Sequence, residues 1–118
     1  MEFMMHEMSV ATELIATILE VLEEEGNPKV KKVFLQVGSL SNIVPESLEF
    51  CYNIIKVDTV LKNSELVIQH VPVTGKCNSC GQEFEIEHML FVCPRCQSGE
   101  VEVTRGQDLK ITELEVEA

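Results

Sequence analysis

Four cysteines carry the clearest chemistry in this chain. Cys77-Asn78-Ser79-Cys80-Gly81 and Cys93-Pro94-Arg95-Cys96 are two C-x-x-C pairs separated by twelve residues. That spacing lets two tight knuckles bring four soft thiolates around one tetrahedral ion, the geometry of closed structural zinc sites. Gly81 follows the first pair where a knuckle turns sharply, and Pro94 stiffens the second. Cys77, Cys80, Cys93 and Cys96 are therefore the expected zinc ligands.

Three other uses of the same residues compete with zinc. Disulfides need an oxidising compartment, and the chain opens without a secretory signal. A thioredoxin-like pair needs a strand-to-helix junction in a βαβ unit, which neither C-x-x-C occupies. Catalytic zinc needs a coordination position open to water, and four thiolates close the site. The H-x-E and P-C-x-x-C pattern of zinc deaminases is also missing: Pro94 lies inside its pair, and Glu87-His88 is not H-x-E. The fifth cysteine, Cys51, is expected in the core, where a free thiol behaves as a small hydrophobe.

The elements that must position these groups follow from periodicity. Val10, Leu14, Ile18, Val21 and Leu22 recur at helical spacing, predicting a helix over 9–25 with Ser9 as N-cap and Gly26-Asn27-Pro28 as its stop. Val33, Leu35 and Val37 alternate in a strand over 30–37. Pro45 opens a second helix carrying Leu48, Cys51, Tyr52 and Ile55 on one stripe. A second strand is expected over 65–73. Within the cysteine segment, 84–87 and 90–92 read as a short hairpin. The final strand, 108–117, changes apolar phase after Ile111, which predicts a bulge near Thr112-Glu113. The expected fold is α+β, with two helices on a three-stranded mixed sheet and an inserted four-cysteine zinc-ribbon-like module. Residues 1–73 and 105–118 would form the core, and 74–104 the insertion.

A length of 118 residues and 45% apolar content suffice for one compact domain with an insertion. No apolar run reaches the ~18 residues of a membrane span, so a cytoplasmic chain without membrane insertion is expected. Nine Lys and Arg against twenty Asp and Glu give a net charge of −11, which repels phosphate backbones and argues against a nucleic-acid partner. The linker between the cysteine pairs holds Glu83, Glu85 and Glu87 and no Lys or Arg. Such a surface suits a basic protein partner or metal ions, and equally serves solubility.

A second constellation stands at the front, Met5-His6-Glu7-Met8-Ser9. In a chain beginning at Met5, the terminal amine, the His6 amide nitrogen and the His6 imidazole close adjacent chelate rings on one ion. The Glu7 amide can take the fourth place, and a planar nitrogen set is what Ni²⁺ and Cu²⁺ prefer. The alternative is that His6 is simply an exposed residue at a helix start. His70 and His88 are lesser candidate ligands.

With these motifs assembled, the chain resembles the HypA family of nickel chaperones. The resemblance rests on Met5-His6-Glu7-Met8-Ser9 before an amphipathic helix, the strand ending Val37-Gly38, the Pro45-Glu46-Ser47-Leu48-Glu49-Phe50 helix start, the paired C-x-x-C and the final Glu115-Val116-Glu117. It implies a non-enzymatic metallochaperone that binds nickel through Met5, His6 and Glu7 and carries structural zinc. It further implies delivery with a HypB-like GTPase to the large subunit of [NiFe]-hydrogenase, and in some members to urease. One departure is that family members begin at the Met of Met-His-Glu, whereas Met1-Glu2-Phe3-Met4 precede it here. With those residues in place Met5 offers an amide rather than an amine, and one strong ligand is degraded. The reading that competes with the resemblance is a zinc-ribbon interaction module with no transported metal.

Overall fold

The computed structural model of the chain describes residues 2–117, with side chains from His6 onward. Helix α1 (Glu2–Glu24) leads into strand β1 (Val30–Gly38) and helix α2 (Pro45–Ile55). Strands β2 (Glu65–Val71), β3 (Thr74–Cys77), β4 (Glu83–Glu85), β5 (Val101–Arg105) and β6 (Leu109–Val116) follow. One three-stranded sheet has the order β2-β1-β6 and the other β4-β3-β5. Two compact units divide the chain: Met1–Leu35, Ile43–Ile68 and Ile111–Ala118 form the first, and Gln36–Asn42 with Gln69–Lys110 the second.

In the first unit the helical stripe behaves as its spacing requires. Ala11, Leu14, Ile15, Ile18 and Leu22 of α1 are buried, as are Leu48, Cys51 and Tyr52 of α2 and Val33 and Leu35 of β1. The α1 helix starts earlier than its expected N-cap, so Ser9 sits inside it rather than capping it. The segment Glu2–Met8 is rich in Met and Glu, which lose little rotamer freedom in a helix, and nothing in it breaks one. The helix ends as expected: Gly26 and Asn27 adopt left-handed φ of 83° and 54°, and Asn27 N–H returns to the Leu22 carbonyl at 2.7 Å. Pro45 occupies the first turn of α2, where no N–H is needed.

The mixed sheet follows from its connections. The crossover through α2 makes β1 and β2 parallel, with Gln36 bonded to Gln69 and Ser39 to the Val71 carbonyl. The last strand returns antiparallel to β1: Gly38 N–H donates to Asp108 O and Glu117 N–H to Lys29 O, each at 2.9 Å. Burial along β6 alternates until Thr112 and Glu113, which are exposed in succession where the apolar phase changes.

In the second unit, Pro72 interrupts what periodicity reads as one strand over 65–73: β2 stops at Val71 and the chain resumes in the other sheet as β3. The pairing within the cysteine segment also differs from expectation. β4 pairs antiparallel with β3, Gly75 opposite Phe84 and Lys76 opposite Glu83, and residues 90–92 form no strand. His88 and Met89 both take left-handed φ, 55° and 59°, in a tight turn closed by Leu90 N–H to Glu87 O at 3.0 Å, a hairpin-type turn after which 90–92 nevertheless forms no strand. β5 flanks β3 on its other edge, placing Lys76 between Glu83 and Glu102.

Gly38 and Gly106 let two backbones touch within this unit. A Cβ on Gly38 would lie 2.3 Å from the Gly106 carbonyl carbon, and one on Gly106 would lie 2.6 Å from Pro72 O. Gly106 also has φ of +94°. Replacing Gly106 by Val should destabilise the protein by more than about 1 kcal/mol, measured by chemical denaturation. An unchanged denaturation midpoint would contradict this close approach.

Candidate metal centre

The two cysteine knuckles are built alike, bond for bond. In the first, Cys77 N–H donates to Gln82 O at 2.9 Å and Gly81 N–H to Cys77 O at 2.8 Å. In the second, Cys93 N–H donates to Ser98 O at 2.9 Å and Gln97 N–H to Cys93 O at 2.8 Å. The residue after each pair is left-handed, Gly81 at φ 79° and Gln97 at φ 63°. Glycine was an obvious sign of the first turn; Gln97 reaches the same conformation because the flanking hydrogen bonds impose it. Pro94 precedes Arg95 and Cys96, whose N–H groups both point at the Cys93 sulfur at 3.4 Å.

These turns bring the four sulfurs within 4.8 Å of one another. Cys77 Sγ lies 3.5 Å from Cys96 Sγ, and Cys80 Sγ lies 3.6 Å from Cys93 Sγ. Such separations are far beyond a disulfide bond, and none of the five cysteines is in a disulfide. A tetrahedron with metal–sulfur bonds near 2.3 Å has edges of about 3.8 Å, so the cluster has the donor number, type and spacing of a four-thiolate zinc site. Cys77 and Cys93 are buried and Cys80 and Cys96 exposed, which puts the ion position at the surface edge of the second unit.

The electrostatics favour a cation. The N–H groups of Cys80 and Ser79 hold the Cys77 thiol down at about 6, against the opposing effect of burial. Burial pushes Cys93 upward, but the N–H groups of Cys96 and Arg95, with the neighbouring thiols, bring it below its ordinary value. Cys96 is drawn down by the Ser98 N–H, yet contact with Cys77, burial, and contacts with Cys80 and Cys93 push it up to about 12. Four negative charges cannot gather here without an ion among them, so a metal that enters at neutral pH displaces protons.

The front motif is arranged differently. The helix runs through Met5, His6 and Glu7, and helix geometry pairs the His6 and Glu7 N–H groups with the carbonyls of Glu2 and Phe3. His6 is exposed. Glu7 is fully buried, and its Oε2 accepts the Val44 N–H at 3.0 Å, at the start of α2. Its Oε1 has no hydrogen-bond partner, and the carboxylate raises the Cys51 thiol further after burial has already raised it. The Glu7 side chain thus ties α1 to the positive end of α2 and turns away from the His6 imidazole. Periodicity alone gave no sign of this role, because it depends on how α1 and α2 meet.

The secondary candidates stand apart. His70 Nε2 is 2.9 Å from Ser39 Oγ, and His88 is exposed on the left-handed turn. Among the described residues, the four cysteines are the group of His, Cys, Asp and Glu side chains able to share an ion. No helix is long and apolar enough to cross a membrane.

Comparison with known proteins reads these features together. The family model described as hydrogenase/urease nickel incorporation, metallochaperone, HypA matches residues 5–116. The chain belongs to the HypA family. It is 40% identical over 114 residues to the hydrogenase maturation factor HypA of Geobacter metallireducens, covering 96% of this chain and 100% of that one. It is 41% identical over 113 residues to the HypA of Desulfosudis oleivorans, covering 95% and 98%. Among solved structures, it resembles the nickel metallochaperone HypA of Helicobacter pylori with a TM-score of 0.69 and 25% identity, over 93% of this chain and 96% of that one. A second HypA solution structure matches with a TM-score of 0.73 and 26% identity, over 95% and 96%. The family is one of nickel metallochaperones for hydrogenase maturation, and the match begins at Met5, so 1–4 lie outside it.

The segment from β3 to β5 buries few large apolar side chains, with Ile86, just after β4, the main one. A structural zinc ion supplies about 10–16 kcal/mol in small zinc modules at neutral pH. Removing metal with a chelator should therefore abolish amide-exchange protection across 77–96 while α1 and α2 keep theirs. Protection of 77–96 that survives chelation would contradict a metal-dependent module.

Proposed function

We propose that this chain binds Ni²⁺ through Met5, His6 and Glu7 and hands it to a [NiFe]-hydrogenase large subunit, in concert with a HypB-like GTPase in the cytoplasm. Cys77, Cys80, Cys93 and Cys96 hold structural Zn²⁺ in a module over 74–104, while 1–73 and 105–118 form the nickel-binding core. The protein acts as a carrier rather than an enzyme. The observation that carries this reading is the HypA family match, whose first residue is the Met of Met-His-Glu.

The chemistry divides between the two ions. Four thiolates close their site and retain a resident zinc ion, whereas cargo must leave. The Met5 amine, the His6 and Glu7 amide nitrogens and the His6 imidazole form an open, planar nitrogen set that suits Ni²⁺. Both amides must then be free of helical hydrogen bonds, so nickel uptake opens the first turn of α1. A chain that begins at Met5 has no preceding carbonyls to hold those amides. The Glu7 carboxylate meanwhile stays on Val44 N–H and anchors the rest of α1.

Calorimetry with Ni²⁺ separates this reading from a zinc module that transports nothing. Protein beginning at Met5 should bind one nickel ion at least tenfold more tightly than either the 118-residue chain or the His6→Ala variant of the Met5 form. Equal binding by all three proteins would overturn the front-end nickel site.

A further inference from the structure

A groove of about 670 Å³ runs along the first unit between α1 and β6. Ile18 and Leu22 form its buried floor, and Val21 and Val116 are exposed at its walls, 44% and 43% accessible. The four consecutive residues Ile111 to Leu114 all line it. Neighbouring side chains on a strand point to opposite faces of the sheet. A groove that opens along the edge of the strand takes in both sets, and β6 is an edge strand, third in the order β2-β1-β6. An unpaired strand edge beside an apolar trough is a template for an added strand.

We infer that this groove accepts an extended, apolar and basic segment of a partner protein, which adds to β6 as a further strand. Charge selects the occupant. Glu25 and Glu113 line the groove. Glu115 of β6 and Glu117 just beyond it continue the acidic run, and Glu20, Glu23 and Glu24 line a separate depression on another face of α1. Lys29 and Lys110 are the basic residues nearest in sequence to the lining segments. A second copy of the chain is the wrong occupant, because antiparallel pairing of β6 with itself about Glu115 sets Glu113 opposite Glu117 and Glu115 opposite its own counterpart. A segment alternating Val or Leu with Lys or Arg meets both requirements. Its apolar side chains enter the trough over Ile18 and Leu22 while its cations meet the glutamates. The six residues Ile111–Val116 span roughly 17 Å of strand, enough to pair with about six residues of the incoming segment.

The probe is a capped heptapeptide, Val-Lys-Val-Arg-Val-Lys-Val, titrated into the metal-loaded ¹⁵N-labelled protein at low salt. Amide shifts should concentrate in 17–25 and 111–116, and affinity should fall at least tenfold in Val21→Lys and in Glu113→Lys. Both substitutions are at exposed positions, and each variant's unshifted spectrum elsewhere checks that it folds. A peptide with Glu in place of Lys and Arg should leave the spectrum unchanged. The inference is overturned if the basic peptide causes no shifts at millimolar concentration, if the shifts map elsewhere, or if the acidic peptide binds equally well. It is also overturned if sedimentation shows the free protein dimerising through the same residues.

Discussion

Convergence of four sulfur atoms is the constraint on which the second unit depends. Cys77 and Cys96 are far apart in sequence, yet their sulfurs lie 3.5 Å apart. Everything local serves that meeting: matched turn bonds in both knuckles, left-handed Gly81 and Gln97, and β4 and β5 flanking β3 so that its last residue delivers Cys77. Without a cation, the same convergence crowds ionisable thiols, and the push of Cys96 to about 12 is the electrostatic sign of that crowding. A zinc ion bound there would turn an unfavourable cluster into the tie that orders a segment with little apolar surface to bury.

The front of the chain works by the opposite logic. His6 and Glu7 are adjacent in sequence but diverge in the fold, one exposed and the other buried against α2. A helix makes this divergence inevitable, because neighbouring residues lie about 100° apart around its axis. The Glu7 carboxylate is thereby removed from the candidate nickel donors, and its backbone nitrogen remains. The proposed site, backbone nitrogens and one imidazole at the start of a chain that begins at Met5, would leave its ion open to exchange. A caged ion would have no such exit.

Reading the sequence recovered what periodicity and spacing encode, namely both helices, the three strands of the mixed sheet and the convergence of the two C-x-x-C pairs. Its failures are of two kinds: local turns and a helix start that composition does not announce, and contacts between residues distant in sequence. Ser9 has the chemistry of an N-cap, but the helix-forming residues before it carry α1 past that position to Glu2. Leu90 to Val92 has strand composition and follows a hairpin-type turn at His88 and Met89, yet it forms no strand, and β4 pairs with β3 instead. The burial of Glu7 follows from the meeting of α1 with α2, and Gln97 gives no compositional hint of the turn it makes.

The central claim is that sulfur holds the resident ion and nitrogen the travelling one. X-ray absorption at the zinc and nickel edges, on protein beginning at Met5 and loaded with both metals, tests it most directly. Zinc should show four sulfur neighbours at about 2.3 Å, and nickel a shell of nitrogen donors including one imidazole, with no sulfur. Sulfur in the nickel shell, or nitrogen and oxygen replacing sulfur around zinc, would contradict the account.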